Sequence, residues 1–163
     1  MTNNQILRRI RYTFNYSDAQ MLQIFASAEL TVDIEKYHHW LRKDDDPKYI
    51  NITDQQFATF LNGLINERRG KKEGPQPVAE KKLNNNIILR KLKIALNMTD
   101  VDIIEVLGLA EMRIGKSELS AFFRKPGHKH YRICKDQFLR NFLQGVQIKY
   151  RDNSPWPAAD HSN

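Results

Sequence analysis

Residues 3–69 and 85–151 lie on each other without a gap. Shifted by 82 positions, eighteen of the pairs are identical, among them Asn3/Asn85, Asn4/Asn86, Arg8/Arg90, Asn15/Asn97, Glu29/Glu111, Arg42/Arg124, Lys43/Lys125, Tyr49/Tyr131, Gly63/Gly145 and Arg69/Arg151. Average composition yields only a handful of identities over such a length, so the chain contains a duplication. The unit is too long for a solenoid repeat, which stacks only on its neighbours. Two copies of one small domain are therefore expected, unit one at 3–69 and unit two at 85–151.

The stretch between them, 70–84, holds Gly70, Gly74, Pro75 and Pro77 with mixed charge and reads as a linker. Residues 152–163, with Pro155 and Pro157, read as a flexible tail.

Each unit carries four stretches of helical periodicity and no convincing strand. Ile6, Leu7, Ile10 and Phe14 fall on one face of the first, with Arg8, Arg9 and Arg11 elsewhere. Asn4 and Asn86 are expected to cap these first helices. Ser17/Gln20 and Thr53/Gln56 have capping-box spacing, in which two side chains satisfy each other's orphan amides, and Thr99/Asp102 is a weaker form. The third helices are expected over about 33–42 and 116–124, ended by Arg42-Lys43 and Arg124-Lys125, where cations complement the helix dipole. Gly63 and Gly145 sit inside the fourth helices, where glycine costs about 1 kcal/mol against alanine. Close approach of another helix would explain them. The fold class is thus all-α, with two homologous four-helix units in tandem.

Charge is shared unevenly. Unit one holds nine basic and nine acidic residues, whereas unit two holds thirteen and six. The whole chain is at +7. Such a balance favours acidic partners, nucleic acid first among them. The excess concentrates after the third helix, where Asp44-Asp45-Asp46 of unit one faces Pro126-Gly127-His128 of unit two. Arg124, Lys125, His128, Lys129, His130, Arg132 and Lys135, with Tyr131 among them and Arg90 and Lys91 on the first helix, are the candidate nucleic-acid-binding residues. A basic loop with an aromatic is what contact with a phosphate backbone needs. A solvated basic loop is the plainer reading of the same residues.

Other chemistry finds less support. The second and third helices of unit two resemble a helix-turn-helix, although the connection Glu111 to Gly115 exceeds the usual turn. His128, His130 and Cys134 lie within seven residues, but a zinc site needs three or four ligands in tetrahedral array, and a buried Cys134 is the simpler expectation. No metal, cofactor or catalytic residue is assigned. The chain holds no G-x-S-x-G, Gly-rich phosphate loop or H-E-x-x-H, so an enzyme is not expected. The single cysteine, the absence of a signal-peptide pattern and the absence of a long apolar run point to the cytoplasm, with no membrane partner.

The paired Asn-Asn-x-Ile-Leu-Arg openings, Trp40-Leu41-Arg42-Lys43 with Phe122-Phe123-Arg124-Lys125, and Phe60-Leu61-Asn62-Gly63 with Phe142-Leu143-Gln144-Gly145 resemble the YehS-like family of bacterial proteins. That family is built from a duplicated domain of unknown function, and the likeness spans residues 3–151. It implies a small bacterial cytoplasmic protein and brings no activity or site residues with it. From the residues, the expected role is a non-enzymatic binding module acting through unit two. The alternative is a protein-interaction adaptor or homodimeric scaffold.

Overall fold

The computed structural model describes residues 1–153. Every regular element among them is helical. Unit one contains α1 (Asn3–Thr13), α2 (Asp18–Ser27), α3 (Ile34–Leu41) and α4 (Asp54–Arg69). Unit two contains α5 (Asn85–Ala95), α6 (Asp100–Leu109), α7 (Lys116–Ala121) and α8 (Asp136–Gln147), which a π-helical turn continues through Asp152. Of the tail expected over 152–163, Asp152 instead closes the π-helical turn, and residues 154–163 lie outside the described residues.

Local signals set most helix starts. Capping boxes close at Ser17/Gln20, Thr53/Gln56 and Thr99/Asp102, as their spacing predicts. The first helices differ from expectation. Their caps are Thr2, with Gln5 completing a box, and Asn84, which accepts from the Ile87 amide. Asn4 and Asn86 lie inside the helices and are buried. Each acts as a clamp. The Asn4 amide donates to the carbonyls of Trp40 and Ile50 (3.0 and 2.9 Å), and its oxygen accepts from the Ile52 N–H (3.2 Å). Asn86 repeats this on Phe122, Arg132 and Cys134 (3.1, 2.8 and 2.9 Å). One side chain thus ties the end of the third helix to the start of the fourth, and it satisfies backbone groups at buried and part-buried positions.

Helix ends follow a shared rule as well. Asn15, Glu29, Asn97 and Glu111 all adopt the left-handed conformation (φ 52, 68, 52 and 60°). They stand just after helices, where a left-handed residue lets the chain turn back and occupy the last carbonyls. The Leu30 and Met112 amides do so on Phe25 and Leu107 (3.1 and 3.0 Å).

The two units form one body. A single hydrophobic cluster runs from Ile6 to Val146 and includes Phe25, Tyr37, Trp40 and Phe60 of unit one with Leu107, Phe122, Phe138 and Phe142 of unit two. Within each unit the helix hairpin depends on its glycine. A Cβ on Gly63 would stand 2.0 Å from the Ile24 carbonyl oxygen, and one on Gly145 2.0 Å from that of Val106. Both distances are far inside van der Waals contact, so only glycine lets α2 rest on α4 and α6 on α8.

Between units, α4 packs on α5 and α1 on α8. The polar contacts there come in pairs related by the 82-residue shift. Asp54 accepts from the Leu83 amide (2.9 Å), and Asp136 accepts from Met1, which the shift matches to Leu83 (2.7 Å). Lys91 donates to Asn62 (2.6 Å), and Arg9 donates to Gln144. The units are therefore related by a pseudo-two-fold axis. Linker residues 70–84 pass over one side of this interface.

Candidate nucleic-acid interface

The loop between α7 and α8 is the centre of the candidate site. Asn86 holds both of its ends: Phe122 where the chain leaves the helix, Arg132 and Cys134 where it returns. The Arg132 amide also donates to the Ala121 carbonyl (3.2 Å), which lays the two limbs side by side. At the tip, the His128 N–H donates to the Lys125 carbonyl (2.9 Å) and the Tyr131 N–H to that of His128 (3.0 Å).

His128 has a structural role at this tip. Its Nδ1 accepts from the His130 N–H at 3.0 Å, which makes the ring a turn-forming acceptor. Asp46 fills the corresponding place in unit one, with Oδ1 accepting from the Lys48 N–H (2.8 Å). The exchange keeps the turn and removes a charge. In unit one the Asp46 carboxylate also binds the Arg42 guanidinium (3.2 Å). The backbone amide of Lys48 first, and then Arg42, hold that carboxyl below its ordinary range. In unit two the corresponding acceptor is the His128 ring nitrogen, and Arg124 has no ion pair among the described residues.

Arg124, Lys125, His128, Lys129, His130, Arg132 and Lys135 are all exposed. None of the cations among them meets a carboxylate within ion-pair distance in the described residues. Arg90 joins them, since its guanidinium reaches the Phe123 carbonyl at 3.5 Å. Tyr131 is half-buried and Ile133 is 72% exposed, so an aromatic and a bare aliphatic side chain stand within the basic loop.

Lys91 does not belong to this group. It points into the unit interface, where Asn62 and the linker's Glu80 (2.9 Å) engage its ammonium. The Arg-Lys pair ends the third helix only in unit one, where Arg42 is the C-cap of α3; α7 stops at Ala121, three residues before Arg124. The same shortness removes the helix-turn-helix reading. A helix of six residues, with Leu119 and Ala121 turned inward, offers too little length to read a major groove.

Cys134 is buried against Asn86, and burial pushes its thiol up to about 12, with the nearby Asp136 charge adding to the effect. No group of three His, Cys, Asp or Glu side chains among the described residues is arranged to hold a metal ion. No helix among them is long and apolar enough to cross a membrane.

A second polar feature had no sequence signal. An open cleft of about 470 Å³ lies between α1 and α8 and is lined by Arg8, Arg9 and Arg140 with Gln5, Asn141 and Gln144. It exists only because the units pack together, and so neither copy could reveal it alone.

Comparison with known proteins agrees with the duplication. The profile of a family described as "Protein of unknown function (DUF1456)" matches twice, at residues 3–70 and 85–152. The chain belongs to this family. It is 40% identical over 150 residues to the "Uncharacterized protein YehS" of Escherichia coli (strain K12), an alignment covering 91% of this chain and 96% of that protein. No solved structure matches.

Proposed function

We propose that this member of the family is a non-enzymatic nucleic-acid-binding module, and that unit two makes the contact through Arg90, Arg124, Lys125, Lys129, Arg132 and Lys135. The observation that carries this reading is the exchange of Asp46 for His128. It preserves the loop's turn while releasing the neighbouring arginine from its internal carboxylate. Cations without an internal carboxylate among the described residues, beside a loop fastened at both ends, suit phosphate backbone contact, which supplies most non-specific affinity. Tyr131 and Ile133 add surfaces for sugar or base contact. Nothing in the loop offers a rigid set of base-edge donors, so the reading is of backbone binding with little sequence preference.

The test is a fluorescence-anisotropy titration against duplex DNA, single-stranded DNA and RNA over a range of salt. Binding should weaken steeply with salt, by a logarithmic slope of about 0.9 for each duplex phosphate neutralised. The triple variant Arg124→Glu, Lys125→Glu, Lys129→Glu should abolish it. The matching variant of unit one, Lys43→Glu with Lys48→Glu, should leave most of it. Absence of binding to all three at low salt would refute the proposal. Self-association in sedimentation together with that absence would favour the scaffold reading.

A further inference from the structure

The pseudo-two-fold axis makes the α4–α5 side of the unit interface an internal reference for the α1–α8 side. Lys91 corresponds to Arg9 and Asn62 to Gln144, and each cation donates to its amide partner. On the α4–α5 side a carboxylate completes the group, since Glu80 of the linker meets the Lys91 ammonium at 2.9 Å. Glu80 lies outside the two overlaid units, so the duplication supplies no equivalent acid beside Arg9. Arg9 instead lines the open cleft of about 470 Å³.

The cleft lining has diverged from the reference side as well. Ala58, fully buried on α4, corresponds to Arg140, which is exposed, and Ile87 on α5 corresponds to Gln5. The α4–α5 side closes with the aliphatic pair, so packing does not account for a guanidinium and an amide in their places. Arg8 adds a third guanidinium, held by its Nη1 on the Arg42 carbonyl (2.7 Å). Two acids act on this cluster, Asp152 on Arg9 and Asp136 on Arg140, but neither forms an ion pair with an arginine of the cleft. Burial outweighs the Asp152 charge and holds Arg9 below the ordinary guanidinium range. Asp136 is engaged first by the Met1 ammonium and then by the Asn85 amide (each 2.7 Å), and Arg140 is the least of the groups acting on it. Positive charge in the cleft is therefore incompletely compensated, and guanidinium forks match the oxygens of carboxylates and phosphates.

We infer that the α1–α8 cleft is a binding site for a small multivalent anion, whose phosphate or carboxylate oxygens meet Arg9 and Arg140 as Glu80 meets Lys91. The cleft has the volume of a small-molecule site. None of its lining residues is aromatic, so it offers no stacking surface for a nucleobase. It shares no residue with the basic loop of unit two, and the inference does not rest on nucleic-acid binding.

The test is isothermal titration calorimetry of the full chain with tripolyphosphate and, separately, with citrate, against sodium chloride at matched ionic strength. At least one of the two anions should bind saturably at one site per chain, and the tighter of them assigns the ligand chemistry to phosphate or to carboxylate. Arg140→Ala, which installs the residue that unit one carries at this position, should weaken binding by about tenfold or more, the loss expected of a charge-assisted hydrogen bond, while Tm is kept. Arg140→Lys should weaken it less. Lys129→Ala removes the same charge from the basic loop and should leave the affinity unchanged. Absence of saturable binding by both anions, indifference to Arg140→Ala, or equal losses in Arg140→Ala and Lys129→Ala would overturn the inference.

Discussion

Asn86 joins the stability of unit two to its proposed function, and its replacement by alanine tests both. The amide makes three hydrogen bonds, to the Phe122 and Arg132 carbonyls and from the Cys134 N–H. Alanine would leave all three groups without that partner, two of the bonds being buried and the one to Arg132 part-buried. At about 1 kcal/mol net for each bond, the loss is about 3 kcal/mol, and it rises where water cannot reach the orphaned groups. For a chain of this size that lowers Tm by about 6–12 °C. Urea unfolding followed by far-UV circular dichroism should show a lower midpoint with an unchanged slope. Asn4→Ala removes the equivalent bonds in unit one and serves as the control. Both variants should lose similar stability. Under conditions where both remain folded, only Asn86→Ala should weaken nucleic-acid binding, because only Asn86 fastens the basic loop. A loss below about 1 kcal/mol would refute the clamp, and equal effects on binding would refute the link from loop position to function.

Three further predictions rest on independent features. Gly145→Ala should destabilise the protein by about 3 kcal/mol or more, because its Cβ would meet the Val106 carbonyl and force α6 from α8; Gly108→Ala, on an open face of α6, should stabilise it by up to about 1 kcal/mol, and chemical denaturation of the pair checks both signs. Cys134 should resist a thiol reagent such as DTNB at pH 8 and react once urea unfolds the chain, since burial and an elevated thiol leave almost no accessible thiolate. Asp102 is held below its ordinary range first by the Thr99 backbone amide and then by the Thr99 hydroxyl. A carboxylate with a depressed folded value stabilises above the unfolded value and loses that contribution as pH falls through the folded one. Thermal melts of Asp102→Asn from pH 6 downward should therefore show a smaller loss of stability below about pH 4 than the unaltered protein.

How far the fold was legible depended on how local its causes are. Three capping boxes, the apolar stripes and the duplication depend on residues within a few positions or on direct overlay, and all appear in the structure as expected. Asn4 and Asn86 were misread because asparagine before an apolar run matches a cap. Their actual partners stand 36 to 48 residues away, beyond the reach of any local pattern. Lys91 was misplaced for the same reason, since Asn62 and Glu80 come from the other unit and the linker. The α1–α8 cleft left no trace at all, because it is made by the packing of two units that the overlay treats separately.

The duplication also separates two kinds of residue. Several positions that kept their identity have a structural duty in both units: Asn4 and Asn86 as clamps, Gly63 and Gly145 at helix contacts, Asn15, Asn97, Glu29 and Glu111 in left-handed turns, and Asp54 and Asp136 accepting from the nitrogen just ahead of the other unit's first helix. Arg42 and Arg124 are different. They are the same residue in matching loops, yet one pairs with Asp46, while the other, whose loop carries His128 at that position, has no ion pair among the described residues. Because His128 still closes the turn that Asp46 closes, the fold does not account for this change, which leaves the free charge of Arg124 as its consequence. His128→Asp is therefore the most economical test of the proposed function. It should preserve the turn, place a carboxylate against Arg124 as in unit one, and weaken nucleic-acid binding without lowering Tm. If affinity and its salt slope are unchanged in the folded variant, the basic loop of unit two is not the contact surface.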